Sequence, residues 1–248
     1  MSESIRARYE NAHDDGRPLL GGHRGNPAHH PENTMRSFRS AIQAGCDLIE
    51  CDVHLSSDGR LVVIHDHTLE RTTNGQGLVR DHTAAELRKL DAGEGEHIPL
   101  LHDVIELALG KVGLVIEIKQ LPITYEGLEE KLVNMLRQLG AVQECAVVSF
   151  HHPAIRKLRE MEPRLQLGIL EGARPLDPAR MLREAGADVF SPHWGAMDRG
   201  LIEQVHSAGG AVGTWTVDDD TAVAWCKYCK PDSVFTNRPE EIGQALRS

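Results

Sequence analysis

Short apolar runs alternate with longer amphipathic stretches along the whole chain. The short runs have the length and composition of buried β-strands. Eight strands are predicted, at residues 19–22, 47–53, 113–118, 146–149, 166–170, 188–191, 211–216 and 233–236. The stretches between them have helical periodicity, and several end at a glycine, the usual residue after a helix C-cap, as at Gly45, Gly110, Gly140, Gly186 and Gly209. Strand and helix therefore alternate throughout.

This alternation predicts an α/β protein with a parallel sheet, because each parallel strand needs a crossover connection to reach the next one. Eight repeats in 248 residues match a closed TIM-type (β/α)8 barrel better than an open sheet. A doubly wound open sheet is the alternative. No linker or low-complexity segment divides the chain, so we expect a single domain over residues 1–248.

One irregular region follows the second predicted strand, at about residues 54–99. It contains a turn at Ser57-Asp58-Gly59, a loop at residues 72–77 and a short helix opened by Thr83, with Glu86 three residues later as a capping box. The region is polar and carries few apolar residues for a core of its own. We interpret it as a small insertion above the barrel mouth.

Charge and hydropathy limit the classes of partner. The formal net charge of −10 would repel nucleic acid and anionic membrane surfaces, so an anionic substrate must meet a local cluster of positive charge. Residues 1–18 have no apolar signal segment, and no later run approaches the roughly 18 apolar residues of a membrane span. We expect a soluble, cytoplasmic protein with no membrane insertion and no nucleic-acid partner.

Five scattered cysteines lack the density of a secreted disulfide scaffold, so reduced thiols are expected. Cys226 and Cys229 have C-x-x-C spacing, but they fall in a predicted helix at residues 219–229 with no second Cys or His pair nearby. We interpret them as small residues near a helix end rather than a zinc or redox site.

Charged residues collect at the ends of the first three predicted barrel strands, where a barrel of this type forms its active site. Glu50 and Asp52 point to one face of their strand, as do Glu117 and Lys119, because strand side chains alternate. If these faces point inward, three carboxylates meet near one lysine. A divalent cation would offset their repulsion, and oxygen ligands favour Mg2+ or Ca2+.

His23 and His65 are the candidates for proton transfer, since histidine titrates near neutral pH, His23 follows the first predicted strand and His65 closes the short apolar run Leu61-Val62-Val63-Ile64. Asp66, which follows His65, either orients a neighbouring histidine or caps a turn. Three more histidines lie near the fourth and sixth strand ends, at His151, His152 and His193. They either shape an alcohol pocket, form a second metal site or cap loops.

A longer series of motifs resembles one known family. The series runs His23-Arg24-Gly25, Pro31-Glu32-Asn33-Thr34, Glu50-x-Asp52-Val53, Asp58-Gly59, Val63-x-His65-Asp66, Leu69-x-Arg71-Thr72-Thr73, Gly75-x-Gly77, Ile98-Pro99, Ile116-Glu117-Ile118-Lys119, Trp215-Thr216-Val217 and Thr236-Asn237-Arg238-Pro239. In order and spacing it resembles the glycerophosphodiester phosphodiesterase family from residue 19 to about 240.

The resemblance implies a TIM barrel that hydrolyses glycerophosphodiesters to sn-glycerol 3-phosphate and an alcohol. The sequence does not decide whether the nucleophile is water or the glycerol 2-hydroxyl. Transferred residue by residue, it implies one divalent cation held by Glu50, Asp52 and Glu117, and His23 and His65 as the acid/base pair. Arg24 and Lys119 would contact the phosphate, and Trp215 would pack on the glycerol carbons. A lysophospholipase D-like enzyme for an acylated substrate is the alternative, which should carry an apolar rim; a non-catalytic phosphate- or sugar-binding barrel is a further one.

Overall fold

Eight parallel strands close into a barrel in the computed structural model, which describes residues 3–15 and 17–247. The barrel strands are β1 (Leu19–Gly22), β2 (Leu48–Leu55), β4 (Gly113–Ile118), β5 (Cys145–Ser149), β6 (Gln166–Glu171), β7 (Val189–Pro192), β8 (Ala211–Thr214) and β9 (Ser233–Thr236). Strand β1 pairs with both β9 and β2, so the sheet has no open edge between them. The predicted (β/α)8 barrel is confirmed, and the open doubly wound sheet is wrong.

The predicted strands agree closely with the observed ones. Three have the predicted bounds, at residues 19–22, 113–118 and 233–236, and the other five differ by one or two residues at one or both ends. A ninth strand, β3 (Leu61–Val63), pairs antiparallel with the end of β2 and was not among the predicted eight. It is a three-residue hairpin arm, which is too short to give a periodic signal.

The helices surround the barrel. They are α1 (Ile5–Asp15), α2 (Met35–Gln43), α3 (Ala84–Leu87), α4 (Leu101–Ala108), α5 (Leu128–Gln138), α6 (His152–Met161), α7 (Pro178–Ala185), α8 (Arg199–Ser207), α9 (Asp220–Cys229) and α10 (Pro239–Arg247), with short 3-10 turns at Val79–Asp81 and Trp194–Ala196. Except in α1 and α3, their apolar faces pack on the outward strand residues and form the main core, which includes Phe38, Ile105, Leu132 and Phe190. Burial of these faces is the main force that holds helix to barrel.

Helix α1 was not predicted from the sequence. Its buried residues Ile5 and Tyr9 join a separate cluster inside the barrel with Leu19, Leu48 and Phe235. The Tyr9 hydroxyl lies 3.0 Å from Ser233 Oγ. Because Leu19, Leu48 and Ser233 lie at or near the starts of their strands, α1 covers the amino-terminal end of the barrel, opposite the end where an active site forms.

The segment between β2 and α4 is the irregular region. It contains β3, the Val79–Asp81 turn and α3, whose capping box between Thr83 and Glu86 is present as predicted. The expectation that it has too few apolar residues for a core is wrong, because eight buried residues form a small cluster of their own: Val62, Ile64, Leu69, Val79, Ala84, Leu87, Ala92 and Ile98. Leu61 and Val63, on the other face of β3, join the main core instead.

Two further sequence expectations concern cysteines and membrane segments. All five cysteines are buried and free, and Cys226 and Cys229 lie on the inner side of α9, which begins after the N-cap Asp219. Within residues 3–15 and 17–247, no helix has both the length and the apolar character that crossing a bilayer requires.

Candidate active site

Three carboxylates meet at the carboxyl-terminal end of β2 and β4. Leu48 and Val115 belong to the cluster inside the barrel, so strand alternation turns Glu50, Asp52 and Glu117 inward as well. Asp52 and Glu117 are direct neighbours in the pairing of the two strands. One oxygen from each of the three carboxylates lies within 4.8 Å of the other two, and all three residues are buried.

Burial and mutual repulsion disturb the ionisation of this cluster. Burial, followed by the charges of Asp52 and Glu117, raises the pKa of Glu50 well above its ordinary value. Burial also raises the pKa of Glu117 to about 7, against the opposing charge of Lys119. The pKa of Asp52 is lowered, since the attraction of Lys119 and Arg24 outweighs the effect of burial. The positive charges of Lys119 and Arg24 therefore do not fully stabilise all three carboxylates in their ionised form.

Positive charge reaches the cluster from two sides. The Lys119 ammonium lies 2.8 Å from Asp52 Oδ1 and 2.6 Å from Glu117 Oε1. Arg24 Nε lies 3.3 Å from Asp52 Oδ2, and the Arg24 backbone N–H donates to Glu50 Oε2 at 2.9 Å. Both cations predicted to contact a phosphate are therefore beside the predicted metal ligands.

The turn after β1 brings Arg24 into this position. Arg24 has φ of 54° and Gly25 has φ of 90°, both in the left-handed region. A side chain at Gly25 would also place its Cβ 2.4 Å from Ser37 Oγ. The turn therefore needs glycine at residue 25, which allows the chain to reverse closely against α2.

His23 is held by a hydrogen-bonded chain from the last barrel strand. Its Nδ1 lies 2.8 Å from Asn237 Oδ1, and the Asn237 amide nitrogen donates to Asp218 Oδ2 at 2.6 Å. Because Asp218 fixes the amide orientation, Asn237 presents an acceptor and His23 carries its proton on Nδ1. Burial and the charge of Arg24 lower the pKa of His23 to about 4. Its Nε2 is then an unprotonated acceptor.

His65 has an anionic partner instead. Its Nδ1 lies 2.6 Å from Asp66 Oδ1, so Asp66 orients His65 itself. Arg71 donates to Asp66 at 2.6 Å and to Glu32 at 2.8 Å, and Glu32 also accepts from Arg24 at 2.9 Å. Burial lowers the pKa of His65, while the charge of Asp52 and the Asp66 hydrogen bond oppose that change.

Several residues of the site were not singled out from the sequence. Asn33 donates to Asp52 Oδ2 at 2.7 Å, and His54 bonds to the backbone of His65. Glu32, Arg71, Asp218 and Asn237 complete the set. Asn33, Glu32, Arg71 and Asn237 stand in the motif series that carries the family resemblance, and that series was the available signal.

A cavity of about 110 Å3 leads from the charged cluster into the barrel, and we term it the inner cavity. His23, Glu117 and Lys119 line its mouth, and Tyr9 and Phe235 are among its deeper residues. Trp215 also lines it, held by a 2.9 Å hydrogen bond from its ring N–H to the Ser191 carbonyl. The predicted site residues His23, Arg24, Glu50, His65, Glu117, Lys119 and Trp215 all line this one cavity.

The three unassigned histidines have separate surroundings. His152 bonds through Nε2 to the Leu170 carbonyl at 3.0 Å, and His193 accepts from the Gly195 N–H and packs edge-on against Trp215. His193 caps the Trp194–Ala196 turn, which was one of the alternatives, whereas His152 joins the start of α6 to β6. His151 lines a second cavity, next to His65, and has no hydrogen-bond partner at Nδ1.

The donor set at the cluster fits a hard divalent cation. Glu50, Asp52 and Glu117 offer oxygen ligands alone, with no thiolate or imidazole among them, and such sites suit Mg2+ or Ca2+. Among the residues that the structure describes, this is the only cluster of its kind.

Comparisons with known proteins identify the family of the chain. A model of the Glycerophosphoryl diester phosphodiesterase family matches residues 23–241. A glycerophosphodiester phosphodiesterase from Caldanaerobacter subterraneus subsp. tengcongensis is 37% identical over 237 residues, covering 92% of this chain and 98% of the relative.

Two solved structures are also similar. An Oleispira antarctica phosphodiesterase in complex with the product sn-glycerol-3-phosphate has 31% identity and a TM-score of 0.84, with 96% of this chain and 99% of that one covered. A glycerophosphodiester phosphodiesterase from Agrobacterium tumefaciens has 29% identity and a TM-score of 0.79, with 92% and 99% covered. Because the family model matches residues 23–241 and a relative of that name is 37% identical over 92% of this chain, the chain belongs to the glycerophosphodiester phosphodiesterase family.

Proposed function

We propose that this protein hydrolyses glycerophosphodiesters to sn-glycerol 3-phosphate and an alcohol in a reaction that depends on a divalent cation. The observation that carries the proposal is the convergence of two carboxylates, two imidazoles, a guanidinium and an ammonium group on one cavity, with an oxygen of the third carboxylate, Asp52, within 4.8 Å of the other two. The names of the relatives support it, as does the sn-glycerol-3-phosphate bound to the Oleispira phosphodiesterase.

Glu50, Asp52 and Glu117 would hold one Mg2+ or Ca2+. The raised pKa of Glu50 supports this role, because a carboxyl group that resists ionisation beside two others gains from a nearby cation. Such a cation supplies positive charge to the substrate phosphate as negative charge develops on it. Asn33 would keep Asp52 in position through its 2.7 Å hydrogen bond.

Arg24 and Lys119 would bind the non-bridging phosphate oxygens. Both line the inner cavity and both carry buried or half-buried charge, where electrostatic attraction is stronger than in water. Their pairing with Glu32 and with Glu117 fixes their side chains before substrate arrives. Little reorganisation is then needed when the diester binds.

The different partners of the two histidines support different first roles for them. His23 faces the neutral amide of Asn237 and has a low pKa, which suits a base that takes the proton from water or from the glycerol 2-hydroxyl. Burial lowers the pKa of His65, but the carboxylate of Asp66 opposes this change by stabilising the protonated ring. His65 would therefore donate a proton to the leaving alkoxide. If the 2-hydroxyl attacks, the roles exchange when water opens the cyclic phosphate.

The glycerol half would occupy the inner cavity with its carbons against Trp215. At about 110 Å3 this cavity is well below the roughly 300–1,000 Å3 of pockets for drug-sized ligands. Tyr9 lines it, on the helix that covers the far end of the barrel. Its size supports an unacylated glycerol over the acylated substrate of a lysophospholipase D-like enzyme.

The test is an assay of chelator-stripped protein on glycerophosphocholine and glycerophosphoethanolamine, with release of sn-glycerol 3-phosphate followed with and without Mg2+ or Ca2+. Release that returns with metal and is lost in Glu50→Ala and Glu117→Ala would support the reaction and the ligand set together. Cleavage of a lysophospholipid alone would favour the lysophospholipase D-like alternative, in which the substrate is acylated. No turnover of any phosphodiester would favour a binding protein instead.

A further inference from the structure

We infer that the leaving alcohol is recognised through hydrocarbon contact in a second cavity, so that alcohols with an alkyl chain are preferred over alcohols with a charged group. This inference rests on the proposed function, because it assigns a place to the alcohol half of that substrate. The relevant space has a volume of about 570 Å3 and lies beside His65. We term it the outer cavity.

The outer cavity continues directly from the catalytic groups. It shares His65, Glu117, Lys119 and Phe150 with the inner cavity, and His23 lines the inner cavity only. The two spaces therefore meet at the groups that would bind the phosphate. A phosphodiester carries one substituent on each side of phosphorus, so glycerol in the inner cavity leaves the outer cavity for the alcohol. His65, which lines both, is then beside the leaving oxygen.

Apolar side chains form the outward wall of the outer cavity. Leu121 and Pro122 follow β4, and Phe150 follows β5. Leu121 is 52% exposed and Phe150 is 41% exposed, and both are among the few large apolar side chains that the described chain leaves exposed. An alkyl chain that covers them removes apolar surface from water on both partners, which is favourable.

The charged groups of the wall are already paired. Asp66 accepts from Arg71 at 2.6 Å, and Lys119 and Glu117, which lie 2.6 Å apart, are the groups proposed to hold the phosphate and the cation. An ammonium or carboxylate group on the alcohol would therefore lose its hydration without gaining an unpaired ionic partner. The wall also contains four imidazole rings, those of His54, His65, His67 and His151.

A neighbouring loop supplies a matched control. Leu176 follows β6 and is 99% exposed, but it lines neither the inner nor the outer cavity. A substitution at Leu176 changes the hydrophobicity and charge of the barrel mouth without changing the wall of the outer cavity. Leu121→Asp and Leu176→Asp make the same chemical change on two nearby loops.

The experiment compares kcat/KM for sn-glycero-3-phospho-1-hexanol and sn-glycero-3-phosphoethanolamine on metal-loaded protein. The wild-type value should be about tenfold higher for the hexyl diester, the lower end of what apolar pockets give per group. Leu121→Asp should lower the hexyl value about tenfold and raise the ethanolamine value, because it places a carboxylate where an ammonium group would bind. Leu176→Asp should change neither value more than about twofold. Leu121→Ser, which adds no charge, should lower the hexyl value alone and serves if Leu121→Asp does not fold.

Two results would overturn the inference. One is an equal or lower wild-type value for the hexyl diester, and the other is an equal effect of Leu121→Asp and Leu176→Asp. Either of these, with ethanolamine diester still cleaved, leaves the proposed function intact. Absence of sn-glycerol 3-phosphate from both diesters, and from glycerophosphoglycerol as a third, would overturn the proposed function and this inference with it.

Discussion

The imidazole of His54 donates through Nε2 to the backbone carbonyl of His65 at 3.0 Å, while its Nδ1 accepts from the Tyr125 hydroxyl at 2.9 Å. His54 is buried and stands two residues after Asp52 on β2. One side chain thus links the strand of the proposed metal ligands to the backbone of the proposed acid. His54 positions His65 without contact to the reacting atoms.

We expect His54→Phe to lower kcat by about tenfold to a hundredfold, since displacement of a reacting group by about 1 Å can have such an effect. KM should stay within about twofold of wild type, because Arg24 and Lys119 are untouched. Steady-state kinetics with a glycerophosphodiester measures both. His54→Gln keeps a donor for the His65 carbonyl and should restore most of kcat. Full kcat in His54→Phe would show that the contact is only structural.

The second prediction concerns the pH dependence set by His23. Its pKa is lowered to about 4 by burial and by Arg24. The ring is therefore neutral and can act as a base above that pH. As the pH falls below this value the ring becomes protonated and can no longer accept a proton. The acid limb of kcat/KM should lie well below the ordinary histidine value of about 6.5. A pH–rate profile measures this limb, and an acid limb at or above that value would contradict the assignment.

The Asn237→Ala variant tests whether Asn237 sets the tautomer of His23. Without the Asn237 oxygen, the Nδ1 proton loses its acceptor, so we expect kcat to fall about tenfold or more. The acid limb should not move to higher pH, because the Asn237 hydrogen bond raises the pKa of His23. Imidazole 15N NMR reports the tautomer directly. An Nδ1-protonated ring in the variant would mean that Asn237 is not what fixes it.

The third prediction concerns the stability of metal-free protein. The pKa of Glu50 is raised above its ordinary value of 4.5 in the folded state. Below pH 4.5 the group is protonated in both states and has no effect. As the pH rises above 4.5 the unfolded chain loses this proton more readily, so the folded state becomes relatively less stable. Glu50→Gln should then raise the Tm of chelator-stripped protein near neutral pH.

Two comparisons complete the stability test. The Tm difference between Glu50→Gln and wild type should vanish near pH 4. Added Mg2+ or Ca2+ should raise the Tm of wild type and have a smaller effect on the variant, because a bound cation stabilises the folded state. A variant that is less stable than wild type at neutral pH, without metal, would contradict the predicted repulsion among the three carboxylates.

The fourth prediction separates metal binding from phosphate binding at Lys119. Its ammonium pairs with two of the three proposed ligands, Asp52 and Glu117. Lys119→Met removes a positive charge that competes with a cation, so we expect tighter binding of Mg2+ or Ca2+ by isothermal titration calorimetry. kcat should fall about a hundredfold, since the ammonium group proposed to bind the phosphate is lost. Weaker metal binding in this variant would show that Lys119 supports the metal site.

The sequence by itself determined the barrel and the main charged residues. Both follow from local periodicity: strand alternation places Glu50 and Asp52 on one face, and the strand ends bring them to Glu117. Helix α1 could not be predicted from local periodicity because its buried residues, Ile5 and Tyr9, are too few to form an apolar stripe. The apolar surface that Ile5 and Tyr9 contact, at the amino-terminal end of the barrel, forms only when the barrel strands have come together.

The tertiary structure decided which side chains hold the proposed catalytic groups. Asn237 reaches His23 from 214 residues away, Tyr125 reaches His54 from 71, and Arg71 reaches Glu32 from 39. The outer cavity likewise exists only because the loops after β3, β4 and β5 come together. A local pattern records how each residue sits on its own strand or helix. Partners so distant along the chain are fixed only when the barrel closes and brings the strand ends into one ring.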